Sequence, residues 1–421
     1  MLTPGQRLKC TSGRRLVVER FLASGGQGSA YLARSPDTGT DVVAKVFFPT
    51  MTTPETRARV VMIAKLDLSR RCPVLIAPSD VIEQNGILGY VAPFFRGECL
   101  DDYLAAPLVL PEAFTERLTL ATALARAVGA LHSASVSHGD LHSANVLVRR
   151  APGLLRAGLI DFDNFSAPGS PPPTMLGAPL YLAPELRMTR GSRSPALPGL
   201  ACDRFSLAVL IHEVLISAHP ASGYDETPER FDLAMVKGWL HDPQRPGRVH
   251  GVPGLPPEIL SSDIHRLFRR ALDIDPKVRP TPDEWETVLL ASMGSLRSCP
   301  SPSCAMPFIA EVGRTCCPGC GQSFPDYVLR TIAGISVRVK SGSMVVGRKD
   351  LGGSEHVSEN HATLRKIGPD FWIESTGRNG TARWNGATWT PLPDHSPVLL
   401  QDGDILKFGT VRATVSLAPS T

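Results

Sequence analysis

The chain has 421 residues, of which 43% are hydrophobic and 20% are charged, and its net charge is +4. This length exceeds what one hydrophobic core commonly organises, so roughly two or three domains are expected. The small positive charge does not by itself indicate nucleic-acid binding. The sequence contains no apolar run of transmembrane length, and its first residues lack the apolar stretch of a secretory signal. We therefore expect a cytoplasmic protein with neither membrane nor nucleic-acid partners.

The first part of the chain changes from strand-like to helix-like patterns. Short β-branched segments bounded by Gly, Pro or Asp predict strands at residues 15–23, 30–34 and 41–48. Apolar residues at helical spacing predict helices at residues 111–134, 203–218 and 263–274. A β-rich start followed by an α-rich body predicts two lobes.

Candidate functional residues follow one another in a defined order along the first part of the chain. A glycine-rich turn contains Gly25, Gly26 and Gly28, whose backbone N–H groups are able to approach phosphates. Lys45 then lies in mid-strand, where it either reaches solvent or meets an anion. The stretches "HGDLHSAN" (138–145) and "LIDFDNF" (159–165) follow. Each motif alone is also typical of an ordinary turn or a solvated face.

Taken in this order, residues 15–292 resemble a eukaryotic-like serine/threonine protein kinase of bacteria. The resemblance implies that Lys45 binds the α- and β-phosphates of ATP together with the glycine-rich turn. It implies that Asp140 is the catalytic aspartate, and that Asn145 and Asp161 hold Mg²⁺.

Three later features favour a protein substrate over a small molecule. "APE" occurs at 183–185, Asp203 begins a predicted helix, and Arg279 lies where the family pairs an arginine with Glu185. Small-molecule kinases such as aminoglycoside phosphotransferases have a similar catalytic loop but lack this Ala-Pro-Glu segment with its later arginine. They remain an alternative.

The sequence also departs from the family pattern at several positions. Gly139 replaces an arginine, Asp163 replaces the glycine that follows Asp-Phe, and His142 and Ala178 replace a Lys and Thr that normally interact. The acidic partner of the strand lysine is hard to find. We expect Glu55 in that role, since Asp67 falls late. If neither residue pairs with the lysine, a nucleotide-binding pseudokinase scaffold is the alternative function.

Five cysteines crowd into residues 299–320. Cys317 and Cys320 flank Pro-Gly as in a zinc knuckle, and Cys299 and Cys304 complete a set that resembles a zinc ribbon. Structural Zn²⁺ is therefore expected. Cys316 is an alternative to Cys317, and free thiols or a redox pair are the alternatives to a metal.

Alternating strand patterns return near the C-terminus and predict a small β-sandwich. "VGRKD", "SENH", "RNGTARWNG" and "LQDGDILKFG" occur in order and resemble a forkhead-associated (FHA) domain, a phosphothreonine reader. The resemblance implies that Arg348 and Ser358 bind the phosphate and that Asn379 binds the adjacent peptide backbone, while His361 braces the loop. A sandwich that binds no phosphopeptide is the alternative.

The sequence thus predicts a multidomain α+β protein. Its parts are a bilobal kinase domain (1–292), a zinc ribbon (293–328) and an all-β FHA sandwich (329–421). We expect ATP, Mg²⁺ and structural Zn²⁺ as cofactors. Expected partners are protein substrates, a phosphothreonine-containing protein or the autophosphorylated chain itself, and a cognate phosphatase. Thr174 is one candidate autophosphorylation site.

Overall fold

The computed structural model describes residues 1–421 except 106–111, 152–153, 173–176, 190, 193–195, 224–226, 250–253 and 419–421. Thr174 lies outside the described residues. The chain forms two compact units. Unit 1 comprises residues 1–257 and 263–293, and unit 2 comprises residues 258–262 and 294–421.

Unit 1 contains nine labelled strands and nine labelled helices among its described residues. The strands are β1 (Arg7–Lys9), β2 (Arg15–Ser24), β3 (Gly28–Arg34), β4 (Asp41–Phe47), β5 (Asp80–Gln84), β6 (Ile87–Pro93), β7 (Glu98–Cys99), β8 (Val146–Ala151) and β9 (Leu154–Leu159). The helices are α1 (Pro54–Lys65), α2 (Leu68–Arg71), α3 (Leu100–Ala105), α4 (Glu112–Ser133), α5 (Pro184–Met188), α6 (Leu200–Ile216), α7 (Pro228–Met235), α8 (Ser262–Ala271) and α9 (Pro282–Gly294).

The N-terminal lobe is an antiparallel sheet with the strand order β1-β2-β3-β4-β6-β5. One face of the sheet buries Leu16, Val18, Ala33 and Val91 in a core of its own. The other face packs on α1, which buries Val60 and Ile63 against the sheet. Both faces of the sheet are therefore covered at the middle of β4. The side chains of this strand point either into the core of the lobe or into the cleft between the two lobes.

The C-terminal lobe is built around α4 and α6. Helix α6 is buried over nearly its whole length, which explains why its sequence is apolar on every side. The small sheet β7-β8-β9 lies at the top of this lobe. No helix in the described ranges is long and apolar enough to cross a membrane.

Unit 2 begins with a short hairpin and continues as a sandwich of two sheets. The hairpin strands are β10 (Leu296–Ser298) and β11 (Pro307–Ile309). The sandwich strands are β12 (Asp326–Thr331), β13 (Ser336–Val339), β14 (Gly342–Val346), β15 (Ala362–Ile367), β16 (Asp370–Ser375), β17 (Thr381–Trp384), β18 (Trp389–Pro391), β19 (Pro397–Leu400), β20 (Ile405–Phe408) and β21 (Val411–Ala418). One sheet has the order β13-β12-β21-β20-β17-β18 and the other the order β14-β15-β16-β19.

The core of the sandwich follows the alternation of its strands. In β15 the buried residues are Ala362, Leu364 and Lys366, and in β16 they are Phe371, Ile373 and Ser375. Lys366 is tolerated inside because its ammonium donates to Asp326 Oδ1 at 2.9 Å.

The predicted elements and the overall class are confirmed. The strand predictions at 15–23 and 41–48 correspond to β2 and β4, and the helix prediction at 203–218 corresponds to α6, which begins three residues earlier at Leu200. The domain boundaries at 292/293 and 328/329 stay predictions, although β12 already joins the sandwich at Asp326.

Candidate functional site

The glycine-rich turn connects β2 to β3 at the edge of the cleft. Gly25 N–H donates to Gly28 O at 2.9 Å, which closes the turn, and Gly25 and Gly26 are exposed. Gly28 is buried, and a Cβ atom there would lie 2.3 Å from Val46 O. Gly28 is therefore required by close packing on β4, whereas the other two glycines leave open backbone above the cleft.

Lys45 projects from β4 between two carboxylates. Its Nζ lies 2.6 Å from Asp161 Oδ1 and 2.6 Å from Asp163 Oδ2. Burial disfavours the ammonium, but the two carboxylates outweigh burial and raise the pKa of Lys45 above its usual value. Burial and the neighbouring Asp161 charge raise the pKa of Asp163 to about 6, against the influence of Lys45.

Glu55 does not pair with Lys45, contrary to the sequence-based expectation. Thr53 caps α1 by accepting from Thr56 N–H at 3.2 Å, and Pro54 occupies the first turn. Glu55 therefore falls in the first turn of the helix, where its carboxylate is fully exposed. Its carboxylate interacts with its own backbone N–H and with Thr53, which lowers the pKa of Glu55.

Residues 138–145, the predicted catalytic loop, are fixed to α6 by Asp203. The buried Asp203 carboxylate accepts from the N–H groups of His138 at 2.7 Å and Gly139 at 3.0 Å. Gly139 has a φ of 76°, and a Cβ there would lie 2.4 Å from Asn164 O. No larger residue fits at this position without a shift of the backbone, so Gly139 is required by the local conformation of this chain.

Asp140 is held on both carboxylate oxygens. Oδ1 accepts from Ala178 N–H at 3.1 Å, and Oδ2 accepts from Asn164 Nδ2 at 2.9 Å. Gln27, in the glycine-rich turn, donates in turn to Asn164 Oδ1 at 3.0 Å. His142 Nε2 stands 3.7 Å from Asp140 Oδ1. Asn164 and Gln27 were missed by the sequence analysis, since neither belongs to the family motif and only the fold brings them to Asp140.

Asn145 lies beside Asp140, and Asn145 and Asp161 carry oxygen atoms that suit a hard metal ion. Asn145 Nδ2 donates to Asp140 O at 3.0 Å, which leaves Asn145 Oδ1 as a free acceptor direction. Ile160 N–H donates to Asn145 O at 2.9 Å and so ties the two segments together. Asp161 has a φ of 64°, a strained conformation that is typical of functional sites. One amide oxygen and one carboxylate fit Mg²⁺, which prefers oxygen ligands.

Glu185 and Arg279 form a buried bidentate ion pair. Both oxygens of Glu185 accept from the Arg279 guanidinium at 2.7 Å, and the Arg279 side chain has 0% exposure. Burial tends to raise the pKa of Glu185, but the guanidinium outweighs it and lowers the pKa below its usual value. This pair anchors α5 in the C-terminal lobe.

Four cysteines of unit 2 converge on one point. The Sγ atoms of Cys299, Cys304, Cys317 and Cys320 all lie within 4.8 Å of one another. The Cys299–Cys320 pair is 3.7 Å apart and the Cys304–Cys317 pair 3.8 Å apart. Tetrahedral zinc with Zn–S bonds of about 2.3 Å requires sulfurs about 3.8 Å apart, so this donor set fits Zn²⁺. The neighbouring Cys316 is exposed and does not belong to the cluster.

Two loops at one end of the sandwich carry the predicted phosphothreonine-binding residues: the β14–β15 loop holds Arg348 and Ser358, and the β16–β17 loop holds Asn379. Arg348 Nε donates to Val357 O at 3.0 Å, and Asn379 Nδ2 donates to His356 O at 2.7 Å. Ser358 Oγ accepts from the N–H group of the residue before Asn379 at 3.1 Å. Backbone bonds therefore orient all three predicted side chains.

His361 supports these loops from below. It is fully buried, its Nδ1 accepts from Ser358 N–H at 3.1 Å, and its Nε2 lies 2.9 Å from Gly380 O. This arrangement suits the neutral imidazole with the proton on Nε2. Burial lowers the pKa of His361, which favours the same form.

Comparison with known families identifies two domains. The protein kinase domain model matches residues 16–289, and the FHA domain model matches residues 338–409. The first match covers more than half of the chain, and the predicted zinc ribbon lies between the two.

Among curated proteins, the serine/threonine-protein kinase PknJ of Mycobacterium tuberculosis is 29% identical over 271 residues, which are 63% of this chain and 43% of PknJ. The serine/threonine-protein kinase SIK1 of Rattus norvegicus is 28% identical over 266 residues, which are 63% of this chain and 31% of SIK1. The matched part thus spans less than half the length of these relatives. The crystal structure of the Mycobacterium tuberculosis PknI kinase domain is 21% identical and superposes with a TM-score of 0.48, over 69% of this chain and 99% of that domain.

Proposed function

The chain belongs to the protein kinase family, and from this premise we propose that it transfers the γ-phosphate of ATP to serine or threonine hydroxyls of protein substrates. One observation carries the proposal. Hydrogen bonds join Asp140, Asn145 and the segment leading to Asp161 into one connected set. Phosphoryl transfer depends on such positioning more than on covalent chemistry.

Each residue of the set has a separate task. Asp140 accepts a hydrogen bond from the attacking hydroxyl and orients it, while its other contacts keep the carboxylate from turning. Lys45 donates to phosphate oxygens, and the exposed backbone of Gly25 and Gly26 lies on the opposite side of them. Asn145 and Asp161 would hold Mg²⁺. ATP with Mg²⁺ supplies the transferable phosphoryl group and the charge that neutralises it.

The segment beside Asp140 supports a protein substrate. Ala178 N–H contacts the Asp140 carboxylate, and a few residues later Glu185 is locked to Arg279. A segment that is fixed at these two points, next to the acceptor position, is suited to binding a peptide chain rather than a small molecule.

A pseudokinase scaffold is the second candidate function. The observation that favours it is that no carboxylate of α1 pairs with Lys45, whose ion pairs in the described residues are with Asp161 and Asp163. On this hypothesis the cleft binds nucleotide without transfer, and the output is phosphopeptide docking by unit 2.

For unit 2 we propose that Arg348, Ser358 and Asn379 bind phosphothreonine, on a partner protein or on this chain after autophosphorylation. The four-cysteine cluster would hold a structural zinc ion, because it contains no other ligand type and no open position for a substrate. Reduced cysteines of this kind are typical of the cytoplasm, which is the location we propose.

The test is a transfer assay with the full chain, labelled ATP, Mg²⁺ and a generic protein acceptor. Asp140→Asn is expected to reduce the rate by about 10²- to 10⁴-fold, the usual contribution of a positioned acid–base group. Asp102→Asn, which changes an exposed acidic residue of α3, is the matched control and should transfer at the wild-type rate. ATP binding without transfer by the wild-type protein would favour the scaffold.

A further inference from the structure

Lys45 has two carboxylate partners, and the proposed function employs only one of them. If Asp161 held Mg²⁺, it would share its charge with the metal, and its attraction for the Lys45 ammonium would be weaker when that ammonium faces phosphate oxygens. A buried ammonium that loses its partner is costly and poorly oriented. Asp163 is the carboxylate that remains.

Asp163 is built into the floor of the cleft. Its side chain is only 4% exposed, its Oδ2 lies 2.6 Å from Lys45 Nζ, and its Oδ1 accepts from Tyr90 OH at 3.1 Å. Tyr90 stands opposite Lys45 on the neighbouring strand β6. One oxygen of Asp163 is thus fixed by a neutral donor and the other is free to hold the ammonium.

Helix α1 fixes the backbone of this segment through Arg59. The Arg59 guanidinium donates to Asp163 O at 3.1 Å and to Phe165 O, and it lies 4.5 Å from the Phe165 ring centroid. It also donates to Pro171 O at 2.5 Å. The helix therefore contributes a cation that binds main-chain carbonyls, where the family places an acid that binds the lysine.

We propose that Asp163 is the positioning residue for Lys45 and that Arg59 holds Asp163 in place. Asp163, in the Asp-Phe-Asp segment, thus pairs with the lysine ammonium in place of the carboxylate that the family pattern puts on α1. The inference rests on the proposed phosphoryl transfer. This inference links two departures from the family pattern. The acid that pairs with the lysine ammonium is absent from α1, and an acid, Asp163, stands instead where the family has a glycine.

The test is a double-mutant cycle on the full chain with Asp163→Asn, Lys45→Met and the double variant. The first readout is affinity for a fluorescent ATP analogue with Mg²⁺, and the second is the KM for ATP and the kcat where transfer is measurable. Asp163→Asn keeps an acceptor for Tyr90 and loses only the charge, so we expect nucleotide affinity to fall by about tenfold, equivalent to about 1.4 kcal/mol. In the Lys45→Met background the same change should have no further effect, because Asp163 acts through Lys45.

Two further variants keep the test decisive. Arg59→Gln leaves every carboxylate in place and should give a smaller loss that also disappears in the Lys45→Met background. Glu83→Gln, on the exposed face of β5, is the matched control and should bind nucleotide like the wild type. If Asp163→Asn fails to fold, as judged by its melting curve, the Arg59 cycle gives the answer.

Three results would overturn the inference. They are an equal loss with and without Lys45, unchanged affinity, and a gain in affinity, which would mean that Asp163 restrains Lys45 instead of positioning it. Failure of the proposed function looks different: the wild type would bind nucleotide and transfer nothing. The affinity cycle still decides the role of Asp163 in that case.

Discussion

The cleft of unit 1 and the loops of unit 2 organise their charged side chains in opposite ways. Lys45 is already neutralised by two carboxylates, and the Asp140 carboxylate is satisfied on both oxygens. Arg348 has no carboxylate partner in the described part of the chain and is oriented by the carbonyl of Val357. The cleft must therefore exchange partners when a ligand arrives, whereas the loops present a preorganised and uncompensated cation.

This difference predicts how strongly the effect of a substitution depends on neighbouring residues. In a network of paired charges, removal of one partner leaves the other buried and unpaired, so that effects are large and not additive. Where backbone carbonyls orient the side chain, its removal costs mainly the contact with ligand. Substitutions in both units test this contrast.

The largest expected effect concerns the zinc cluster. Cys317→Ser should abolish binding of one zinc ion per chain, and structural zinc contributes about 10 kcal/mol or more to the folding of small zinc domains. Cys316→Ser changes the exposed neighbour and should keep the metal. Metal analysis and melting curves of the full chain measure both. Zinc retained by Cys317→Ser would contradict the assignment.

The same variant tests the preorganisation of the loops. The predicted zinc ribbon contacts the β15–β16 turn, where Arg297 Nε lies 2.6 Å from Asp370 Oδ2. His361 and the binding loops lie at the other end of these strands. We therefore expect phosphothreonine affinity to change by less than about threefold when zinc is lost, below about 1 kcal/mol. Affinity that disappears with the metal would show that the loops depend on the ribbon.

The next effect concerns the buried pair in unit 1. Glu185→Gln leaves the fully buried Arg279 without an anion, which should reduce the free energy of unfolding by about 3 kcal/mol. Glu83→Gln breaks the exposed pair with Arg57 and should have a much smaller effect, as surface ion pairs generally do. Denaturant unfolding compares the two. Equal costs would mean that burial of the pair has no energetic role.

The residues in this contrast could be named from the sequence, but most of their partners could not. Lys45, Asp140 and Asp161 each lie in a short motif, and the order of these motifs can be read directly from the sequence. The partner of Lys45 does not follow from such motifs, because the family pattern places an acid on helix α1, and here the helix supplies Arg59 instead. Asn164 comes within 2.9 Å of Asp140 only through the fold of the chain.

Unit 2 was easier to anticipate for a physical reason. The loops that hold Arg348 and Asn379 use backbone carbonyls, which every sequence has, so a few side chains at fixed intervals suffice to predict a site there. The four cysteines likewise need only their spacing.

For the loops we expect Arg348→Ala to weaken binding of a phosphothreonine peptide by about ten- to a hundredfold, the value of one or two hydrogen bonds to a charged group. Arg330→Ala removes the same charge from an exposed strand position and is the matched control. Calorimetry with phosphothreonine, phosphoserine and unmodified peptides measures the effect. Equal losses of peptide affinity for the two variants would mean that binding depends on general electrostatic attraction and not on a specific contact of Arg348.

The last expected effect is a pH dependence of the stability of unit 1. Glu213 Oε2 accepts from Tyr181 OH at 2.8 Å, and burial raises the pKa of Glu213 from 4.5 to about 8, with Tyr181 opposing part of the change. The folded state thus keeps a proton that the unfolded chain releases, so stability is full below the unfolded pKa and is lost as the pH rises through the folded value.

Glu213→Gln removes this proton uptake and keeps the acceptor for Tyr181. Between about pH 5 and pH 8, wild-type stability should therefore decline relative to the variant, by at most about 1.4 kcal/mol for each unit of pH. Glu98→Gln, at an exposed position of β7, should follow the wild-type curve at every pH. Parallel curves for wild type and Glu213→Gln would mean that Glu213 is ionised in the folded protein. Its charge would then need an additional partner in the C-terminal lobe, and the lobe would resemble the densely paired cleft rather than a neutral core.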